Sequence, residues 1–273
     1  MAYEDLLALA VEVAADAAEL VRRRRVGGVE VAATKTSPTD IVTEVDRAAE
    51  RLIYERLTTA RPGDGFVGEE GASAEQDTDV RWVVDPIDGT VNFLYGIPAY
   101  AVSIAAAVDG RSVAGVVLNV ATGEQFTATL GGGAFLDGAP LRLGTAGSPP
   151  PLSQQLVGTG FNYVHDVRML QVAAVSALLA EVRDVRRIGS AALDLCYVAS
   201  GRFDAFVEEG LHLWDMAAGG LVATEAGAVL SRRDGVGGND CYLCAPADAF
   251  EEFADLVGRC GFLASRTAGA ARE

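Results

Sequence analysis

Four short segments of this 273-residue chain carry acids where they could meet, and the densest is Asp85-Pro86-Ile87-Asp88-Gly89-Thr90. The apolar run Trp82-Val83-Val84 predicts a strand that ends at Asp85, so its carboxylate emerges at a sheet edge. Pro86 fixes its own φ and biases Asp85 toward extended backbone. Asp88 follows across a turn, and both carboxylates can converge on one point. Gly89 leaves the approach open. If Thr90 opens a helix, the N–H groups there and the helix dipole form an anion pocket. Amide groups favour phosphate and carboxylates favour cations. A phosphate bridged through Mg²⁺ satisfies both, because Mg²⁺ takes oxygen ligands and shares them with substrate phosphates. Taken alone, Asp85 and Asp88 could equally be turn and cap residues.

Phe66-Val67-Gly68-Glu69-Glu70-Gly71 ends a second apolar strand in two glutamates. Leu213-Trp214-Asp215-Met216-Ala217-Ala218-Gly219 puts an acid at the mouth of a helix rich in Ala and Gly, where Asp215 could also be an N-cap. Thr43 and Asp46 have the form of a capping motif, which also sets Asp46 within reach of a hydroxyl such as that of Thr90. No Cys or His stands where it would serve as a nucleophile. Cys241 and Cys244, on a predicted strand, point to opposite faces and do not make a zinc site.

The elements that position these residues follow from periodicity. Helices are predicted over residues 3–25, with Leu6, Leu9, Val13, Ala17 and Leu20 as an apolar stripe, and over 45–60. Arg22 to Arg25 followed by Gly27-Gly28 reads as helix-stop chemistry. Strands are expected at 66–68 and 81–84, then an antiparallel meander over 99–143 with Gly131-Gly132-Gly133 as a hairpin turn and not a phosphate loop. The boundary is expected at Ser148-Pro149-Pro150-Pro151, dividing 1–148, with the meander and most candidate ligands, from 152–273, which supplies Asp215. Beyond it come a strand near Leu156, a helix over 166–182, a strand over 185–187, a helix over 191–199, a strand over 203–207, a helix over 214–226, strands at Val229 and Tyr242, and a helix over 247–257. The fold class is mixed α/β.

The formal net charge is −16 and half the residues are hydrophobic, a globular composition that argues against a nucleic-acid or anionic-membrane surface. A phosphate ester is repelled by such a surface unless bound metal locally reverses the sign. Of 22 basic residues, Lys35 is the one lysine. No apolar run reaches membrane-spanning length and the N-terminus is acidic, so the expected compartment is the cytoplasm.

Lys35-Thr36-Ser37-Pro38-Thr39-Asp40 with Asp46, Gly68-Glu69-Glu70, residues 85–93, and Trp214 to Gly219 with Glu225-Ala226-Gly227 together resemble the inositol monophosphatase family, in order and over nearly the whole chain. Residues 91–98 and 186–196 further resemble bacterial inositol-1-monophosphatases. One departure is Ala228 after Glu225-Ala226-Gly227, where a second Gly is common. The resemblance implies a layered αβαβα sandwich, a homodimer, two or three Mg²⁺ ions and inhibition by Li⁺. It implies that Glu69, Asp85, Asp88, Asp215 and the carbonyl of Ile87 hold the metals, and that Gly89 and Thr90 present N–H groups to phosphate. Thr90, Glu69 and Asp46 would orient and activate the water. Asp88, Ala191, Glu208 and Asp215 fall where the family contacts the inositol ring, with Lys35, Asp40 and Glu70 in supporting positions. The implied reaction is hydrolysis of myo-inositol 1-phosphate by direct attack of a metal-activated water. Fructose 1,6-bisphosphate, histidinol phosphate, adenosine 3′,5′-bisphosphate and the NADP 2′-phosphate are the alternative substrates, and a regulator that binds a protein partner is the alternative role.

Overall fold

The computed structural model describes residues 3–26, 31–34, 41–75, 77–144 and 149–264; Lys35, Asp40 and Ser148 lie outside the described residues. Helix α1 (Tyr3–Val26) is followed by the hairpin strands β1 (Val31–Thr34) and β2 (Ile41–Thr43), then by α2 (Glu44–Ala60). Next come β3 (Gly65–Gly68), β4 (Ser73–Ala74), β5 (Val80–Asp88) and the short helix α3 (Thr90–Tyr95). The expected meander is β6 (Ala101–Val108), β7 (Arg111–Asn119), β8 (Gln125–Thr129), β9 (Gly133–Leu136) and β10 (Ala139–Leu141). The rest alternates: β11 (Leu156–Thr159), α4 (His165–Leu179), β12 (Asp184–Arg186), α5 (Ala191–Ala199) and β13 (Ala205–Glu209). It closes with α6 (Leu213–Glu225), β14 (Ala228–Asp234), β15 (Asp240–Pro246) and α7 (Phe250–Arg259).

Two sheets organise these elements. The first has eight strands in the order β10-β9-β8-β7-β6-β5-β3-β4, and the second has five in the order β12-β11-β13-β15-β14. Period-two alternation sorts their side chains into separate cores. On β5 and β6, Trp82, Val84, Val102, Ile104 and Ala106 face α1 and α2, whereas Val83, Ala101 and Ala105 face α5 and α6. On the second sheet, Phe206 and Cys244 join that same α5–α6 core, while Val207, Cys241 and Leu243 face α4 and α7. The layers therefore run α, β, α, β, α, as the resemblance implied. All four cysteines are free and buried, and Cys241 and Cys244 point into different cores.

The central helix layer is close-packed because its residues are small. A Cβ on Gly115 would lie 3.1 Å from the Cα of Ala218, and one on Gly219 would lie 2.8 Å from the carbonyl of Ala192. Helix α6 thus rests directly on both the sheet and α5, which fixes where its first turn, with Asp215, must lie. Glu225 at its far end accepts hydrogen bonds from the N–H groups of Gly131 (2.9 Å) and Gly133 (3.0 Å), pinning the β8–β9 hairpin.

Several details differ from expectation. The buried face of α1 is centred on Leu6, Ala10, Val13, Ala14 and Ala17, with Leu9 and Leu20 at its border, because small residues let the helix approach the sheet. The arginine run does more than stop the helix. Arg22 Nε donates to the carbonyl of Val120 at 2.9 Å, while Arg25 donates to the carbonyl of Phe93 and lies over its ring, 5.7 Å from the centroid. The last turn of α1 is thereby tied to the end of α3. Helix α7 begins at Phe250 and not at residue 247, since Ala247 donates to the carbonyl of Gly227 and Ala249 to that of Pro246. Among the described residues, no helix is long and apolar enough to cross a membrane.

Candidate active site

The acids of the first sheet meet because β3 and β5 are parallel neighbours, with Gly68 opposite Val84. One residue further, Glu69 donates its N–H to the carbonyl of Val84 at 3.2 Å and stands beside Asp85. Both residues thus lie beside each other where β3 ends against β5.

Strand β5 does not end at Asp85 as expected. It continues to Asp88 through an irregularity: Asp85 pairs with Ser103 and Asp88 with Ala101, so three steps on β5 match two on β6. Residues three apart on a regular strand face opposite ways, and the extra residue brings Asp85 and Asp88 to the same side. Pro86, which lacks an N–H for the ladder, suits such a bulge. One oxygen from each of Asp85, Asp88 and Asp215 lies within 4.8 Å of the others.

Each acid is held by a different element. Asp85 Oδ1 accepts the N–H of Ile87 at 3.0 Å. Asp88 Oδ2 accepts the Ser190 hydroxyl at 2.6 Å and the Ala192 N–H at 2.7 Å, so one of its oxygens is committed to the start of α5. Asp215 is not the N-cap of α6; it is the third residue of the helix, and its Oδ2 accepts the N–H of the N-cap His212 at 2.6 Å. Burial, then Glu69, Asp88 and Asp215, push the Asp85 carboxyl far above the usual carboxylate range. Burial and the charge of Asp215 push Asp88 up to about 7, against the two hydrogen bonds that favour its ionised form. A set of buried or half-buried, mutually repelling oxygen ligands is the chemistry of a hard divalent-metal site. The donor set fits Mg²⁺.

Gly89 and Thr90 border this cluster. Gly89 sits at φ +95° as the N-cap of α3, and a Cβ there would lie 2.9 Å from the carbonyl of Ala99, so only glycine fits. The first-turn N–H groups of α3 have no partner within the helix. Thr90 Oγ1 lies 3.0 Å from Asp46 Oδ1 and 3.1 Å from the Ile87 carbonyl. Asp46 is fully buried and caps α2 with Thr43, whose N–H donates to Asp46 Oδ2 at 2.9 Å. Burial outweighs these hydrogen bonds and raises Asp46 to about 6, with the charge of Glu70 adding to the rise. The capping motif and the reach toward Thr90 therefore coexist.

The second sheet supplies the opposite wall of a cavity of about 380 Å³ lined by Glu69, Asp88, Thr90, Ala191, Glu208 and Asp215, among others. The Glu208 carboxylate fills the space beside Gly160, where a Cβ would lie 2.0 Å from its Oε1. Burial raises Glu208 to about 8; Arg187 opposes the rise, and Asp215 and Asp88 reinforce it. The stacked rings of His212 and Trp214, with centroids 5.0 Å apart, stand at the mouth.

Several residues of the site were not singled out in the sequence. Ser190 caps α5 while donating to Asp88, and its position before an Ala-rich helix was a readable cap signal. Asn92 Nδ2 donates to the carbonyls of Ala99 (2.7 Å) and Ile188 (2.9 Å), joining α3 to the loop before α5. Glu209 accepts the N–H groups of Gly237 (3.1 Å) and Asn239 (3.0 Å) along the cavity edge. Asp88, Ile188, Gly237 and Asn239 lie far along the chain from the residues they pair with, and no local pattern announces those pairings.

The chain belongs to the inositol monophosphatase family, whose profile matches residues 2–257. It is 49% identical over 260 residues to the inositol-1-monophosphatase of Mycobacterium leprae, covering 89% of each chain. It is 41% identical to a protein of Escherichia coli named Nus factor SuhB, over 87% of this chain and 88% of that one. Among solved structures it is similar to Mycobacterium tuberculosis SuhB, with a TM-score of 0.81 and 43% identity over 96% of this chain and 98% of that one.

Proposed function

We propose that the protein is a Mg²⁺-dependent phosphomonoesterase that hydrolyses myo-inositol 1-phosphate to inositol and phosphate. The observation that carries this reading is the meeting of Asp85, Asp88 and Asp215 within 4.8 Å, beside the paired Thr90 and Asp46. Glu69, Asp85, Asp88, Asp215 and the Ile87 carbonyl would hold two or three Mg²⁺ ions, and Li⁺ would inhibit by competing for that set. When bound, such ions neutralise phosphate oxygens and lower the pKa of water.

The remaining chemistry belongs to the chain. Gly89 and Thr90 direct main-chain N–H groups at the phosphate. Thr90 Oγ1 gives its proton toward Asp46, leaving its lone pairs to accept a hydrogen bond from the attacking water, which Glu69 orients from the other side. As the water oxygen bonds to phosphorus its proton passes through Thr90 to Asp46; the phosphorus–alkoxide bond breaks, the alkoxide takes a proton from water held near Asp215, and the hydroxide left there is reprotonated by the proton that Asp46 returns through solvent. Asp88, Ala191, Glu208 and Asp215 bind the ring hydroxyls, with Glu70, and with Lys35 and Asp40 outside the described residues, in support. The close relative named inositol-1-monophosphatase supports this substrate. The reading includes a homodimer, for which the exposed Met169, Val172 and Leu179, on one side of α4, offer an apolar face. It also includes a cytoplasmic location, which the four unpaired thiols suit.

The test is phosphate release across a panel of myo-inositol 1-phosphate, fructose 1,6-bisphosphate, histidinol phosphate, adenosine 3′,5′-bisphosphate and NADP. The inositol ester is expected to give the highest kcat/KM; a higher value for any other member reassigns the substrate. A second reading, a regulator that binds a protein partner, draws on the relative named Nus factor SuhB. The full set of acids argues against that as the sole role.

A further inference from the structure

We infer that Glu50 is a positioning residue for the cation site, because its buried carboxylate fixes the turn that carries Glu69. The inference rests on the cation-dependent reading above. Asp46 and Glu50 stand four residues apart on α2, hence on one face of the helix. Asp46 reaches Thr90, and Glu50, only 3% exposed, reaches the turn after β3. Glu50 Oε2 accepts the N–H of Glu70 at 2.7 Å and Oε1 accepts the N–H of Ala72 at 2.8 Å. Hydrogen bonds to an ionised acceptor are about twice as strong as neutral ones.

The turn is closed around this carboxylate. Gly68 donates to the carbonyl of Ala72 at 3.0 Å, and Gly71 donates to that of Gly68 at 3.4 Å. A Cβ on Gly68 would stand 2.2 Å from Glu50 Oε2, so glycine is what admits the carboxylate. Glu69 is held between two anchored neighbours, Gly68 and Glu70, and its own N–H is bonded to Val84. Its side chain meets that of Asp85. Through the N–H groups of Glu70 and Ala72, Glu50 preorganises the turn that carries Glu69, and removal of such support typically weakens metal binding 10–100-fold.

The test is Mn²⁺ titration of chelator-treated protein by calorimetry, without substrate. It is paired with Mg²⁺ activation curves and thermal unfolding. In Glu50→Gln one of the two N–H groups meets an amide NH₂, and the Mn²⁺ Kd is expected to rise about tenfold or more. At saturating Mg²⁺ the kcat is expected to recover, so the effect lies in the activation constant. Gly68→Ala, which crowds the same carboxylate, is expected to act alike and serves if Glu50→Gln does not fold. Asp64→Asn is the control. Asp64 is a buried acid at the opposite end of β3 that accepts Trp82 Nε1 at 3.0 Å and the Thr78 hydroxyl at 2.6 Å, and its loss is expected to lower the unfolding temperature while leaving the Kd unchanged. An unchanged Kd in both Glu50→Gln and Gly68→Ala overturns the inference while the phosphatase reading stands. A wild-type protein that binds no Mn²⁺ overturns both.

Discussion

Replacing Asp88 by Asn is expected to lower kcat by about a thousandfold or more, the equivalent of several kcal/mol of charge stabilisation at the reacting phosphate. The Asp88 carboxylate has two duties. Oδ2 accepts from the Ser190 hydroxyl and the Ala192 N–H, and the carboxylate must also present an oxygen to those of Asp85 and Asp215 within 4.8 Å. An amide has only one oxygen. If it stays with Ser190 and Ala192, the NH₂ group faces the cations; if it turns over, two donors at α5 meet a third. Either way the site loses a ligand or its alignment.

The same substitution is not expected to unfold the protein. The folded-state pKa of Asp88 is raised to about 7 from an ordinary 3.8, so folding binds its proton more tightly. Its ionisation therefore begins to cost stability as pH rises above about 4, and the cost is complete above about 7. Without added metal at pH 8, Asp88→Asn should unfold at the same temperature as the wild type or higher. Phosphate-release assays and thermal unfolding read the two effects separately. A variant that retains most of its turnover sinks the assignment of Asp88.

Thr90→Val is expected to cut kcat by about 10²–10⁴-fold, the usual worth of a positioned proton acceptor. Valine has nearly the shape of threonine, so helix α3 and its contacts persist. What disappears is the hydroxyl that lies 3.0 Å from Asp46 Oδ1. The wild-type pH profile should carry the mark of this pair. Asp46 must be ionised to accept the Thr90 proton, and its pKa is raised to about 6 by burial. Turnover should therefore fall as pH drops through about 6, and that limb should move lower at high Mg²⁺ because nearby cations favour the ionised form. In Thr90→Val the limb should vanish. Loss of less than tenfold in kcat, or an unchanged acid limb, would remove Thr90 and Asp46 from the proton path.

Much of this site was legible because each acid follows a short apolar run or opens a helix. That pattern marks Glu69, Asp85 and Asp215 as candidates while leaving Asp85 and Asp215 open as turn or cap residues, and the family resemblance is what implies their role as ligands; the capping motif of Thr43 and Asp46 forms with its reach to Thr90 intact. The bulge was not legible. A turn after Asp85 and a continued strand with one extra residue both bring the two aspartates together, and Pro86 is compatible with either. The partners of Asp88 were hidden for another reason: Ser190 and Ala192 lie more than a hundred residues away, and only the packing of α5 on α6 brings them there. Element edges moved where backbone donors found tertiary acceptors. Strand β13 runs over Ala205–Glu209 and not over 203–207 because Phe203 and Arg202 still donate to the carbonyl of Tyr197, closing α5.

The most direct measurement is phosphate release from myo-inositol 1-phosphate by chelator-stripped wild-type protein before and after Mg²⁺ is returned. Activity is expected to be absent without the cation, to be restored by Mg²⁺, and to be suppressed when Li⁺ is added. Release that proceeds unchanged without a divalent cation, or none after Mg²⁺ is restored, would contradict a phosphatase built on Asp85, Asp88 and Asp215.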